Sequence, residues 1–191
     1  MAGALTREEI IDVLSARYGD KVRAVKPPAG GAAYVVVERQ HLLPVLEFLR
    51  SAPELRFDFL SDVTAVDLLQ LETPEIGQRF AVIYQLCSLE KGHRFHVKTP
   101  VPEEDLRVPS AVELWQGALW GERESHDMFG IEFEGNPDMR RLLMPEDYPG
   151  FPLRKDYPLR GRGERDSFSQ VRPVDDLPDD AENSQPTANG S

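Results

Sequence analysis

Apolar residues recur at positions 10, 13, 14 and 18, the spacing of one helix face, and Leu5-Thr6-Arg7-Glu8-Glu9 introduces the run. Thr6 with Glu9 makes a capping box and Leu5 with Ile10 a hydrophobic staple, so a first helix is well specified. Gly19 supplies its stop. Pro27-Pro28 and Gly30-Gly31 then break the chain before Ala32 to Glu38, a β-branched run suited to a buried strand. From Arg39 to Ser51 the period is helical again, with apolar positions 42, 45, 46 and 49 and a Pro44 early enough to be tolerated.

Beyond Phe57 the pattern changes toward strand. Phe57, Phe59 and Val63 to Leu69 are followed by a polar loop through Thr73, Pro74 and Gly77, then by Phe80 to Ser88, a tight return at Gly92, and Arg94 to Thr99. At least four strands, several joined by hairpins, follow a helix, strand, helix opening. This order predicts an α+β fold, a two-layer mixed sheet with helices mainly on one face, followed by an extended Pro-rich C-terminal arm. Ser110-Ala111-Val112-Glu113 reads as a second capping box opening a short helix with Leu114 and Trp115, and a further helix is predicted over Trp120 to Phe129, ended by Gly130.

The arm follows from its prolines. Pro145, Pro149, Pro152 and Pro158 each lack an N–H and bias the preceding residue toward extended geometry. Such a ribbon cannot satisfy its own backbone or bury Leu142, Leu143, Met144, Phe151, Leu153, Tyr157 and Leu159, so it needs its own domain or a second protein to lie on. The division expected is an α+β domain over 1–140, a partner-binding arm over 141–172 and a disordered acidic tail over 173–191.

Charge and length narrow the classes. The 191 residues, 40% hydrophobic, suit one domain with a core, and no apolar run approaches the ~20 residues of a membrane span. The opening lacks a basic region followed by an apolar stretch, giving the expectation of a cytoplasmic chain. A net charge of -11 disfavours nucleic acid as a partner. Eight Arg or Lys lie between Arg140 and Arg172, whereas Asp175 to Glu182 holds five acids, so a basic ribbon precedes an acidic end. Cys87, the single cysteine, sits in an apolar strand pattern as an inert thiol and cannot build an iron–sulfur or zinc site.

Candidate chemistry is sparse. Gly30-Gly31 precedes a strand, whereas a dinucleotide loop follows one, and there is no P-loop. Glu122, Arg123, Glu124, His126 and Asp127 could form a metal or acid–base cluster, as Glu122 and His126 are four apart on a helix. Arg123 beside them is expected to lower the carboxylate pKa values, which opposes a poised acid. Interface pairing beside Trp115, Trp120, Met128 and Phe129 fits the mixture better, with core packing of the same aromatics as the plain alternative. His93 and His96 fall on opposite strand faces and His41 is remote. A non-catalytic partner of something larger is the reading these residues favour.

Residues 122 to 159 also carry a long signature. Glu-Arg-Glu, then Asp127-Met128-Phe129-Gly130-Ile131, Phe133, Gly135, Pro137-Asp138, Arg140-Arg141 and Pro152-Leu153-Arg154-Lys155-Asp156-Tyr157-Pro158-Leu159 resemble the 30-kDa subunit family of respiratory complex I, the C-subunit of NADH-quinone oxidoreductase. Asn136 departs from it, standing where the family usually has His or Lys. The resemblance implies a cofactor-free scaffold subunit of the hydrophilic arm, on the cytoplasmic side of the inner membrane. FMN and Fe-S clusters would lie in partner subunits of a complex that passes electrons from NADH to quinone. It implies that the C-terminal segment packs against the large, 49-kDa-type quinone-site subunit, with Fe-S subunits as neighbours. Partner contacts are expected from Glu122, Arg123, Glu124, Asp127, Arg140, Arg141, Phe151, Leu153, Arg154, Lys155, Asp156 and Tyr157. Truncation after Gly135 should then leave a folded domain that fails to assemble. The rival readings are the equivalent subunit of a membrane-bound nickel–iron hydrogenase or related dehydrogenase, a free-standing adaptor, and a small metallohydrolase using Glu122, Glu124 and His126.

Overall fold

The computed structural model describes residues 4–27 and 31–163. Helix α1, Arg7–Tyr18, starts with the full capping box, Glu9 N–H donating to Thr6 Oγ1 and Thr6 N–H to the Glu9 carboxylate, and ends at Gly19 with φ of 58°. Strands β1 (Val22–Val25) and β2 (Tyr34–Val37), helix α2 (Arg39–Ser51), and strands β3 (Phe59–Asp67), β4 (Phe80–Cys87), β5 (Arg94–Val101) and β6 (Arg107–Pro109) follow. Helix α3 (Ala118–Phe129) and strand β7 (Glu132–Glu134) complete the elements.

Five strands form one sheet in the order β1-β2-β5-β4-β3, antiparallel except for the central β2–β5 pair, so the sheet is mixed as expected. The register explains the two layers. Val35 and Val37 on β2 face the helices, whereas Tyr34 and Val36 face the other side, where the β3–β4 connection covers them with Ile76. Leu42, Val45, Leu46 and Leu49 of α2, the four positions picked out by periodicity, are fully buried against that helix-side core.

Several elements differ from the sequence expectation. Strand β1 is not predicted, because four residues of an edge strand give too little alternation to detect. The short parallel pair β6–β7, three residues each, is hidden for the same reason. Phe57 is not in a strand; it is buried just before β3, its N–H donating to Leu49 carbonyl. Strand β3 stops at Asp67, whose carboxylate accepts the N–H of Leu69 and turns the chain. No helix starts at Ser110: the Ser110 hydroxyl accepts from Val112 N–H and donates to the Glu122 carboxylate, leaving only a run of turns over 112–117.

The compact unit extends to Leu159. Residues 141–157 contain turns and bends rather than a straight ribbon, with Tyr148 N–H donating to Pro145, Arg154 N–H to Phe151 and Tyr157 N–H to Arg154 carbonyls. The rest of the predicted arm, 164–172, and the acidic tail, 173–191, lie outside the described residues.

Candidate partner-binding site

Helix α3 organises the site. Gly121 lets it lie directly on β3: a Cβ there would stand 2.6 Å from Val63 carbonyl oxygen. Gly130, with φ of 78°, ends the helix in the left-handed conformation, and its missing Cβ leaves room for Phe151 and Arg154. Three charged residues of α3, Glu122, Arg123 and Asp127, are buried between the helix and the chain around it.

Glu122 is fully buried and meets only neutral donors: Ser110 Oγ at 2.7 Å, Ala111 N–H at 2.7 Å and Asn136 Nδ2 at 2.8 Å. Burial pushes its carboxyl above the usual value, an effect the three hydrogen bonds only partly offset. The expected depression by Arg123 does not arise. Arg123 bypasses the carboxylates of its own helix to donate to the carbonyls of Arg140 and Arg141 and to pair with Asp138 at 3.3 Å, its guanidinium lying over Trp120.

Asp127 is also fully buried. One oxygen accepts from Arg141 Nη1 at 2.8 Å, and the other accepts three successive backbone N–H groups, from Leu142, Leu143 and Met144, at 3.0, 2.7 and 2.9 Å. Burial alone would raise this carboxyl, yet the amides and the guanidinium outweigh it and hold the pKa below the usual value. Arg141 continues to the carbonyls of Tyr148 and Gly150. One aspartate thus organises the turn at which the arm begins.

A second carboxylate holds the far end. Asp67, 3% exposed at the end of β3, accepts the Lys155 N–H at 2.9 Å and pairs with Arg79, whose guanidinium also binds Asp156 at 2.8 Å and Glu103. Burial again acts to raise the Asp67 carboxyl, and Arg79 with the Lys155 and Leu69 amides brings it down. Between the two holds, Arg154 donates to Phe129 carbonyl and stacks on Phe80 and Phe151, while Tyr148 and Tyr157 join their hydroxyls at 2.8 Å.

The structure places the sequence-derived candidates in two groups. Glu122, Arg123, Asp127, Arg141, Arg154 and Tyr157 are engaged within the chain, and Phe151 is partly covered. Glu124, Arg140, Leu153, Lys155 and Asp156 remain exposed, with Arg140 on Asp138 and Asp156 on Arg79. Leu143, at 62% exposure, and Trp120, at 57%, belong with the outward group. The sequence does not single out Asp67 and Arg79, which lie far upstream of the backbone and the side chain they hold. Nor does it single out Ser110 as a partner of Glu122; a polar residue flanked by apolar ones is the available signal. Glu122, Glu124 and His126 do not converge: Glu122 faces Ser110, Glu124 faces solvent and His126 Nδ1 contacts Ile131 carbonyl at 3.0 Å.

Two solved structures share this architecture. One, titled Nqo5 of the trypsin-resistant fragment (1-134), matches with a TM-score of 0.59 and 34% identity over 69% of this chain and 97% of that one. The other comes from the membrane-bound sulfane sulfur reductase, an archaeal respiratory membrane complex, with a TM-score of 0.63 and 24% identity over 86% and 93% of the two chains, a likeness of fold. The class is thus the α+β domain that those two share, a mixed sheet under helices. The family follows from sequence: residues 35–163 match the model of the respiratory-chain NADH dehydrogenase 30 Kd subunit, and the chain belongs to that family. The NADH-quinone oxidoreductase C-subunit of Citrifermentans bemidjiense is 47% identical over 69% of this chain and 77% of its own length. Its counterpart of the same name from Trichlorobacter lovleyi is 41% identical over 80% and 90%.

Proposed function

We propose that this chain is a structural and assembly subunit of an NADH:quinone oxidoreductase, holding neighbours in place while electrons pass elsewhere. The observation that carries the reading is the arm. It projects Leu143 and Leu153 outward at 62% and 50% exposure from a backbone bonded to its own domain. Exposed apolar side chains gathered on one segment are what a partner surface buries.

Family membership and the names of the relatives support the assignment to the complex. Among the described residues no helix is long and apolar enough to cross a membrane, and no group of three or more His, Cys, Asp or Glu is arranged to hold a metal. In this reading the chain is a peripheral subunit on the cytoplasmic face of the membrane, and FMN and Fe-S clusters belong to its partners. The 49-kDa-type quinone-site subunit is the partner proposed for the arm, with the exposed Lys155, Arg140 and Asp156 supplying polar contacts beside the apolar ones.

The test is a tagged full-length chain purified from solubilised membranes and, separately, expressed alone. Flavin and iron should accompany it in the first preparation and be absent from the second. Stoichiometric flavin, haem or metal in the chain made alone would overturn the reading.

A further inference from the structure

The arm's backbone is held in an unusual way. No residue of 141–157 joins a sheet, and the backbone amides that reach outside the arm's own turns are caught mainly by side-chain carboxylates: 142–144 by Asp127 and 155 by Asp67. Leu153 N–H adds one bond to Met128 carbonyl at 3.3 Å. Both carboxylates belong to the folded domain, one on α3 and one at the end of β3, and α3 packs directly on β3 at Gly121. Segments with few strand bonds and half-exposed apolar side chains open locally at low cost, while sheet strands open only with the whole fold.

We propose that residues 141–157 form a strap that opens in the free chain without unfolding the sheet, and that Asp127 and Asp67 are the two catches on which partner binding holds it shut. The inference rests on the reading above that a partner covers the arm. Closure places Leu143 and Leu153 outward together, and opening releases them from any shared geometry. A partner that buries both leucines therefore binds the closed strap and shifts the population toward it. The partner surface this fits is apolar, two shallow hydrophobic sites spaced to match Leu143 and Leu153, with acidic groups near the exposed Lys155 and Arg140.

The chemistry of the catches makes the device selective. Asp127 presents one oxygen to three consecutive N–H groups, an arrangement that the backbone nest of 142–144 satisfies only in its closed turn. Arg141 anchors the same carboxylate and also donates to the Tyr148 and Gly150 carbonyls, which fixes the curvature of the strap. Arg79 does the equivalent at the other end, joining Asp67 of the domain to Asp156 of the strap.

Amide hydrogen exchange on the full chain, alone and in the purified complex, tests this. In the free chain the amides of Leu142, Leu143, Met144 and Lys155 should exchange at least about tenfold faster than those of β4, and assembly should slow them by at least about tenfold. Asp127→Asn should restore fast exchange at 142–144 within the complex, and Asp67→Asn at 155, each leaving β4 unchanged. Strap amides as slow as β4 in the free chain would overturn the proposal, as would Asp→Asn variants whose strap exchange in the complex matches the wild type. If Asp127→Asn does not fold, the wild-type comparison and Asp67→Asn still decide. Failure of the assembly reading is seen separately, as a wild-type chain that recruits no complex.

Discussion

Glu122 and Asp127 stand five residues apart on one helix, both fully buried, and their surroundings move them in opposite directions. Asp127 faces charge-assisted and backbone donors, so its folded pKa is depressed; its contribution is present above the unfolded value and lost as pH falls through the folded one. Glu122 faces neutral donors, so its folded pKa is raised; its contribution is present below the ordinary 4.5 and lost as pH rises through the folded value. Glu122→Gln should therefore gain on the wild type as pH rises from about 4.5 toward neutrality. Denaturant unfolding at several pH values measures this, and a wild-type-minus-variant difference that stays constant with pH contradicts it. Neither behaviour is legible from spacing. Helix periodicity puts Arg123 beside Asp127, but the carbonyls that capture Arg123 come from residues 17 and 18 positions later, a contact that local pattern does not encode.

At the level of elements, the joint between α3 and its neighbours depends on two glycines and on the first residues after β7. Gly121→Ala would drive a methyl against Val63 carbonyl, so the helix must lift from β3, at a cost of roughly 1–3 kcal/mol. Thermal unfolding should show a lower midpoint; an unchanged midpoint would mean that the helix–strand spacing is slack. Truncation bears on the same joint, and the structure changes what to expect of it. Cutting after Gly135 removes Asn136 from Glu122, and Asp138 with the carbonyls of 140 and 141 from buried Arg123. Stranding that guanidinium should cost on the order of 3 kcal/mol, so this fragment should be far less stable than one ending after Arg141, which keeps those partners. Equal stability of the two fragments in urea would contradict the account. Helix α1, through its capping box, and helix α2, through its periodic buried face, are legible in the sequence because those signals are local. Strands β1, β6 and β7 are not, because each is stabilised by a pairing strand outside its own three or four residues.

At the scale of the compact unit that ends at Leu159, the fold is an α+β domain with residues 141–157 laid back over it. The sequence locates that segment through its prolines and its apolar residues without a core. It leaves open whether those residues lie on the chain itself or on a second protein, and the structure divides them. Tyr148 turns inward, Phe151 and Tyr157 are partly covered, and Leu143, Leu153 and Leu159 remain outside. Inward and outward positions alternate irregularly because turns, rather than a strand's two-residue period, set their direction. In the proposed assembly role, Leu143 and Leu153 are the strap residues that a partner buries. Purification of a tagged Leu143→Asp, Leu153→Asp chain from solubilised membranes tests this most directly, with the tagged chain made alone as the control for folding. The account predicts a folded variant, with wild-type unfolding, that retrieves no flavin- and iron-containing complex. A variant that co-purifies with the complex at the wild-type ratio would contradict it.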